Sequence, residues 1–198
     1  DRVQKGLSAF HDKLDRMVAS PVFSLEDHPH LEDGIASHSF DAEGYPTSRK
    51  WMIREGKLCT FLHNLKSAHK AGVESTGNAS KGGYKGAIGI SPSNLVCSVG
   101  DKTYEELIAS VGDGVIITEV AGLHSGVNEM SGDFSLMAEG FRIRDGKQAE
   151  AMRQVTVSGN FFELLQEIEE MGADRRNPLQ SSMYTPSVVV RQLSISGE

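Results

Sequence analysis

Leu7, Phe10, Leu14, Met17 and Val18 recur at three- and four-residue intervals and Pro21 stops the run, which predicts a helix over 5–19. Val22 to Leu25 reads as a short strand, and Glu26 to Gly34 as a polar, solvated or partner-facing loop. Lys50 to Ile53 and Lys57 to Leu65 flank Arg54-Glu55-Gly56, a hairpin signal. Ser67 to Ala71 predicts a short helix closed by Gly72, and Asn94 to Val99 a strand. Thr103-Tyr104-Glu105-Glu106 has the form of a capping box, opening a helix whose apolar face is Tyr104, Leu107, Ile108 and Val111 and which Gly112 closes. Val115 to Val120 is a continuous apolar run, read as a buried strand.

Strands follow over Ser135 to Ile143 and around Arg153 to Val157, joined by an Asp145-Gly146 turn. Asn160 caps a second strong helix, with Phe161, Leu164, Leu165, Ile168 and Met171 on its buried face and Gly172 at its end. Residues 173–186 read as a polar loop and Ser187 to Ser196 as a final strand. This pattern predicts an α+β fold: a largely antiparallel β-sheet domain with a few packed helices, spanning 1–198 as a single domain.

Between the strand at Val115 and the strand at Ser135 lies Gly122-Leu123-His124-Ser125-Gly126-Val127-Asn128, polar and rich in glycine. An irregular polar segment between two strands is a place for a binding surface on a rigid scaffold. A plain structural connection is the equal alternative from local sequence. Ser75-Thr76-Gly77-Asn78-Ala79 leads into a second glycine-bearing region, with Gly82, Gly83, Gly86 and Gly89. Its spacing is not that of a phosphate-binding GxxxxGK[ST] loop, so it reads as a flexible loop that a ligand or partner orders.

Composition narrows the classes. At 198 residues and 38% hydrophobic the chain can bury a core, and its net charge of −7 argues against a nucleic-acid surface. No apolar run approaches a membrane span. The start Asp1-Arg2-Val3 has no signal-peptide pattern and no Met, which points to a piece of a longer or processed chain. Cys59 and Cys97 each sit in an apolar, strand-like segment and read as buried free thiols, consistent with a reducing cytoplasm. Asn78-Ala79-Ser80 matches a glycosylation acceptor with nothing else pointing to secretion.

Self-sufficient catalytic chemistry is not visible. His124 and Ser125 are adjacent, and adjacent side chains in extended backbone point to opposite faces, which is poor geometry for a dyad. Neither cysteine has a context that lowers its pKa. No H-E-x-x-H is present; His28 and His30 with four acids in 26–34 invite a metal reading, but no further ligand is fixed by spacing, and His11, His38, His63 and His69 are scattered. What remains is a polar, glycine-bearing edge beside strands, which suits an extended peptide adding main-chain hydrogen bonds.

Several short pieces carry a resemblance: Glu26-Asp27-His28-Pro29-His30-Leu31, Phe40-Asp41-Ala42-Glu43-Gly44, Ser75-Thr76-Gly77-Asn78-Ala79, Ser131-Gly132-Asp133-Phe134-Ser135, Ala138-Glu139-Gly140-Phe141 and Val157-Ser158-Gly159-Asn160. In this order, over nearly the whole chain, they resemble the C-terminal part of the TldD/PmbA family, in its PmbA (TldE) branch. That family has carried the label modulator of DNA gyrase.

The resemblance implies a cytoplasmic metalloprotease complex that degrades unfolded peptides or processes leader peptides. In it a TldD-like subunit holds zinc and pairs, as a dimer, with a TldE-like subunit that does not. The zinc site uses an H-E-x-x-x-H helix, which by matching would fall upstream of Asp1, and a cysteine in the loop after Gly172. Here that loop reads Ala173-Asp174-Arg175-Arg176-Asn177-Pro178-Leu179-Gln180-Ser181-Ser182, without cysteine. The expectation is therefore a non-catalytic TldE-like subunit with no cofactor of its own, zinc belonging to the partner, and no nucleic-acid or membrane partner. Gly122, His124, Ser125, Gly126 and Asn128, with Ser75, Thr76 and Asn78, are expected to contact peptide. The alternatives are an active zinc peptidase whose third ligand comes from Asp27–His30, and an interaction protein that regulates a topoisomerase.

Overall fold

A computed structural model of the chain describes residues 3–177 and 181–197. In chain order the strands are β1 (Leu25–Asp27), β2 (Lys50–Arg54), β3 (Lys57–Leu58), β4 (Ala79–Lys81), β5 (Ile88–Ile90) and β6 (Leu95–Cys97). Then come β7 (Gly114–Ala121), β8 (Asp133–Arg144), β9 (Lys147–Asn160), β10 (Ile168–Met171), β11 (Met183–Tyr184), β12 (Val188–Val190) and β13 (Ser194–Ser196). The helices are α1 (Leu65–Ala71), α2 (Tyr104–Val111) and α3 (Phe161–Gln166). The strands form a five-stranded sheet β11-β6-β1-β2-β3, a four-stranded sheet β13-β9-β8-β7, and the two-stranded sheets β10-β12 and β4-β5. All pairings between these strands are antiparallel except β11 with β6, so the α+β, largely antiparallel reading holds.

One core cluster joins Val18, Ala19 and Phe23 to Ile53, Leu58 and Cys97 of the first sheet and to Leu165, Ile168 and Met171. A second lies on the four-stranded sheet, with Leu136, Ala138, Met152, Val155 and Val157. The long β8–β9 hairpin turns at Asp145-Gly146, both with positive φ, as the two-residue turn requires. The capping boxes at Asn64 and Thr103 and the Asn160 cap are all formed.

Four expectations fail for tertiary reasons. The helix over 5–19 is replaced by a 3-10 turn at Val3–Lys5 and a series of turns. Asp12 and Asp15 adopt positive φ, and the backbone pairs with the β2–β3 hairpin: Asp15 N–H donates to Leu58, and Val18 and Ala19 N–H groups to Gly56. Leu7, Leu14 and Met17 of the supposed buried face are exposed. The helix from Phe161 stops at Gln166, and Ile168–Met171 becomes strand paired with Val188–Val190. A register shift between Ile168 and Glu170 brings Ile168 and Met171 both into the core, imitating the helical three-residue interval.

The run Val115–Val120 is an edge strand rather than a buried one, because among the described residues only β8 pairs with it. The single strand expected over Ser187–Ser196 is two: β12 pairs with β10, and β13 with β9.

Other boundaries also move. The strand expected at Val22 begins at Leu25, and the hairpin's second strand ends at Leu58. Cys59 is an exposed thiol, not a buried one, while Cys97 is buried as expected. No helix among the described residues is long and apolar enough to cross a membrane.

Candidate functional site

The segment 26–34, expected as a solvated loop, supplies the most buried charge in the molecule. Asp27 has no exposure at all, and Glu26 is also buried. The Asp27 carboxylate accepts from Ser93 N–H at 2.7 Å and from the Ser93 hydroxyl, from Asn78 Nδ2 at 2.7 Å and from Lys50 Nζ at 3.1 Å. Burial pushes its pKa up, but the Ser93 and Asn78 hydrogen bonds and the Lys50 charge outweigh that and hold the group below its ordinary value. Asn94 Nδ2 donates to the His28 carbonyl and its Oδ1 accepts from Ala36 N–H, fixing the turn that follows β1.

The expected contact residues Ser75, Thr76 and Asn78 belong to this knot. Thr76 Oγ1 accepts from His63 N–H at 2.7 Å and donates to Asn78 Oδ1 at 2.7 Å. Ser75 Oγ donates to the His63 carbonyl. Gly77 has positive φ, and a Cβ there would collide with the Pro46 carbonyl, so the turn needs glycine. Asn78 is 3% exposed and committed to Asp27, which removes it as a glycosylation acceptor.

Asp41 closes the same knot by accepting from Ala79 N–H at 2.9 Å. Three of the short pieces that carry the family resemblance thus meet in one buried polar network. Periodicity gave no sign of it, because its members come from segments far apart in the chain.

Residues 122–128 form an exposed connection between β7 and β8. Gly126 N–H donates to the Gly122 carbonyl, and Ser135 N–H to the Gly126 carbonyl. A Cβ at Gly126 would strike the Ser135 carbonyl, so the glycine permits a close backbone approach. The Ser125 hydroxyl turns back to the Gly122 carbonyl at 3.4 Å, not to His124. Asn128 Oδ1 accepts from Met130 and Ser131 N–H groups.

Beside this connection opens a cleft of about 1160 Å³. Its walls are α2 (Tyr104, Leu107, Ile108, Val111), β7 (Val115, Ile117), β8 (Phe134, Leu136), Phe161 and Phe162 at the start of α3, and Val188–Val190 of β12. Of the expected contact residues only Asn128 lines it, together with Leu123 and Val127, which were not singled out. The apolar face of α2, legible as a core face, therefore borders open space, with only Leu107 buried. Ser75, Thr76 and Asn78 are not part of this cleft.

The described residues assemble no zinc site of their own. Among the described residues no three His, Cys, Asp or Glu side chains converge on a point. His28 Nδ1 is buried without a partner, but stands alone in that respect, and His30 Nε2 is engaged by Thr47. In the loop after Gly172, Asp174 bonds Ser187 and Arg176; Pro178, Leu179 and Gln180 of that loop lie outside the described residues.

Comparison with known proteins decides the family. The PmbA/TldA metallopeptidase C-terminal domain matches residues 1–197. The chain belongs to this family. The Escherichia coli O157:H7 metalloprotease PmbA is 30% identical over 187 residues, covering 94% of this chain and 38% of that protein. A metalloprotease of Methanothermobacter thermautotrophicus is 34% identical over 181 residues, covering 89% and 38% respectively.

Among solved structures, a Thermotoga maritima protein described as a candidate modulator of a DNA gyrase superposes with TM-score 0.91 at 42% identity, covering 98% of this chain and 44% of that one. TldE from Thermococcus kodakarensis superposes with TM-score 0.90 at 27% identity, covering 99% and 44%. This PmbA/TldD-type domain spans less than half the length of these relatives.

Proposed function

We propose that this chain is the C-terminal domain of a TldE-like subunit that carries no zinc of its own. In this reading it pairs with a TldD-like, zinc-bearing subunit in a cytoplasmic dimer and holds extended peptide for cleavage there, degrading unfolded peptides or processing leader peptides. The observation that carries the peptide part is the position of β7. It is the last strand of its sheet and no strand pairs with its outer side among the described residues, while the cleft runs along it. An extended peptide can bond such an edge through its main chain and place alternate side chains in an apolar cleft. The connection 122–128 stands at the end of that edge, which is where Gly122, His124, Ser125, Gly126 and Asn128 would meet peptide. Ser75, Thr76 and Asn78 contribute by holding the scaffold.

The rival takes a third zinc ligand from Asp27–His30; there both Asp27 oxygens are engaged by protein donors and His30 Nε2 by Thr47, which leaves it only His28. The cytoplasmic placement is supported by two free thiols.

The test is to purify the full-length protein alone and together with its TldD-like counterpart, then measure bound zinc and cleavage of an unfolded peptide. The expected result is cleavage only by the pair, and no stoichiometric zinc on this subunit. Stoichiometric zinc and peptide cleavage by the subunit alone overturns the reading.

A further inference from the structure

Charge is distributed unevenly along the chain. Residues 64–91 carry four lysines (Lys66, Lys70, Lys81, Lys85) against the single acid Glu74, a net of +3. With a total of −7, the remainder carries −10. The segment comprises α1 and the β4–β5 hairpin. None of the four lysines has an ion pair among the described residues, and all four are exposed.

Apolar groups are exposed in the same segment: Leu65, Val73 and Ile88 are roughly half-exposed, and Tyr84 is 90% exposed at the hairpin tip. An isolated two-stranded ribbon is marginal in water, and among the described residues β4–β5 pairs with no other strand, although Ala79 at its root is already bonded to Asp41 and Ala42. Its root is nonetheless fixed. Ala79 N–H donates to Asp41, Asn64 Nδ2 to the Gly89 carbonyl, and Ser91 N–H to the Asn78 carbonyl.

We propose that the β4–β5 hairpin, with α1 beside it, is a docking finger for an acidic segment of a protein partner that also carries apolar residues. The exposed lysines attract the acids. Tyr84 and Ile88 offer apolar contact, and an open ribbon edge accepts an added strand. The rigid root presents the tip without the entropy cost of ordering a free loop. Nucleic acid is the poorer occupant: the segment has no arginine, the side chain that binds phosphate and base edges bidentately. This surface is separate from the β7 cleft, so it stands or falls independently of the peptide-holding reading.

The experiment uses the full-length protein and fluorescence anisotropy with three labelled probes: a peptide alternating Glu and Leu, one of the same length alternating Lys and Leu, and a single-stranded oligonucleotide. The variants are Lys81→Glu with Lys85→Glu, Tyr84→Ser, and the cleft variant Ile108→Ser, each checked to be folded by its melting transition. The acidic peptide is expected to bind the unaltered protein and to weaken as salt is raised. The salt-sensitive part of its binding falls roughly tenfold in the double charge reversal, less in Tyr84→Ser, and not at all in Ile108→Ser. No binding of the acidic peptide, equal binding by the double variant, or tighter binding of the basic peptide or the oligonucleotide overturns the proposal. Loss of peptide cleavage by the pair formed with Ile108→Ser and the TldD-like counterpart, with the acidic-peptide result intact, separates the two surfaces.

Discussion

Around β1 the molecule buries charge, and beside β7 it leaves apolar side chains facing open space. In the first region Asp27, Lys50, Asn78 and Ser93 satisfy one another, and the loops that carry them are held to within ordinary hydrogen-bond lengths. In the second, Ile108, Val111, Val115 and Ile117 line a cleft that the described residues do not fill. The difference separates two meanings of a family-like motif. The pieces at 26–31, 40–44 and 75–79 are there because a buried carboxylate needs several donors at once. The cleft is lined by residues that read, along the chain, like ordinary core.

That contrast can be broken most decisively at Asp27. Asp27→Ala leaves Lys50 buried without its counter-charge and Ser93 and Asn78 without an acceptor, and is expected to cost about 3–5 kcal/mol, measured by urea unfolding. A loss below about 1 kcal/mol would place the knot among surface ion pairs.

Acid provides a second, smaller probe of the same group. The folded Asp27 titrates below its unfolded value of about 3.9, so its contribution is present above that value and is lost as pH falls through the folded one. Unfolding monitored against pH should show stability dropping in that acid range in the parent, and less steeply in Asp27→Asn.

The smallest expected effect on stability tests the other region. Ile108 is partly buried on the cleft wall and Ile and Ser differ little in helix propensity, so Ile108→Ser should cost only about 1 kcal/mol of unfolding free energy while weakening peptide retention. A cost of several kcal/mol would make the wall part of the core and remove the contrast.

Local signals hold where they are closed within a few residues. The Thr103–Glu106 capping box, the Asn160 cap, the Asp145-Gly146 turn and the short helix ended by Gly72 all form as expected. The errors fall where a distant segment competes. Residues 5–19 have helical spacing, but the open backbone of the β2–β3 hairpin offered Asp15, Val18 and Ala19 better partners. Residues 168–171 have helical spacing because a bulge puts Ile168 and Met171 on one side.

The candidate cleft was barely legible in the sequence. The stretch 122–128 does stand between two strands at the end of an edge, but of its predicted members only Asn128 borders the cleft. Ser75, Thr76 and Asn78 carry polar side chains that look like ligand contacts in one dimension and prove to be internal donors and acceptors.

By itself, then, the sequence determined what depends on neighbours in the chain: caps, tight turns, the long β8–β9 hairpin, the α+β class and the family likeness. Only the tertiary structure decided which polar residues would be buried together and which apolar face would be left uncovered. The physical reason is that desolvation and strand pairing are settled by groups far apart in sequence. Asp27 meets Ser93 across 66 positions, and no periodicity in either segment announces the other.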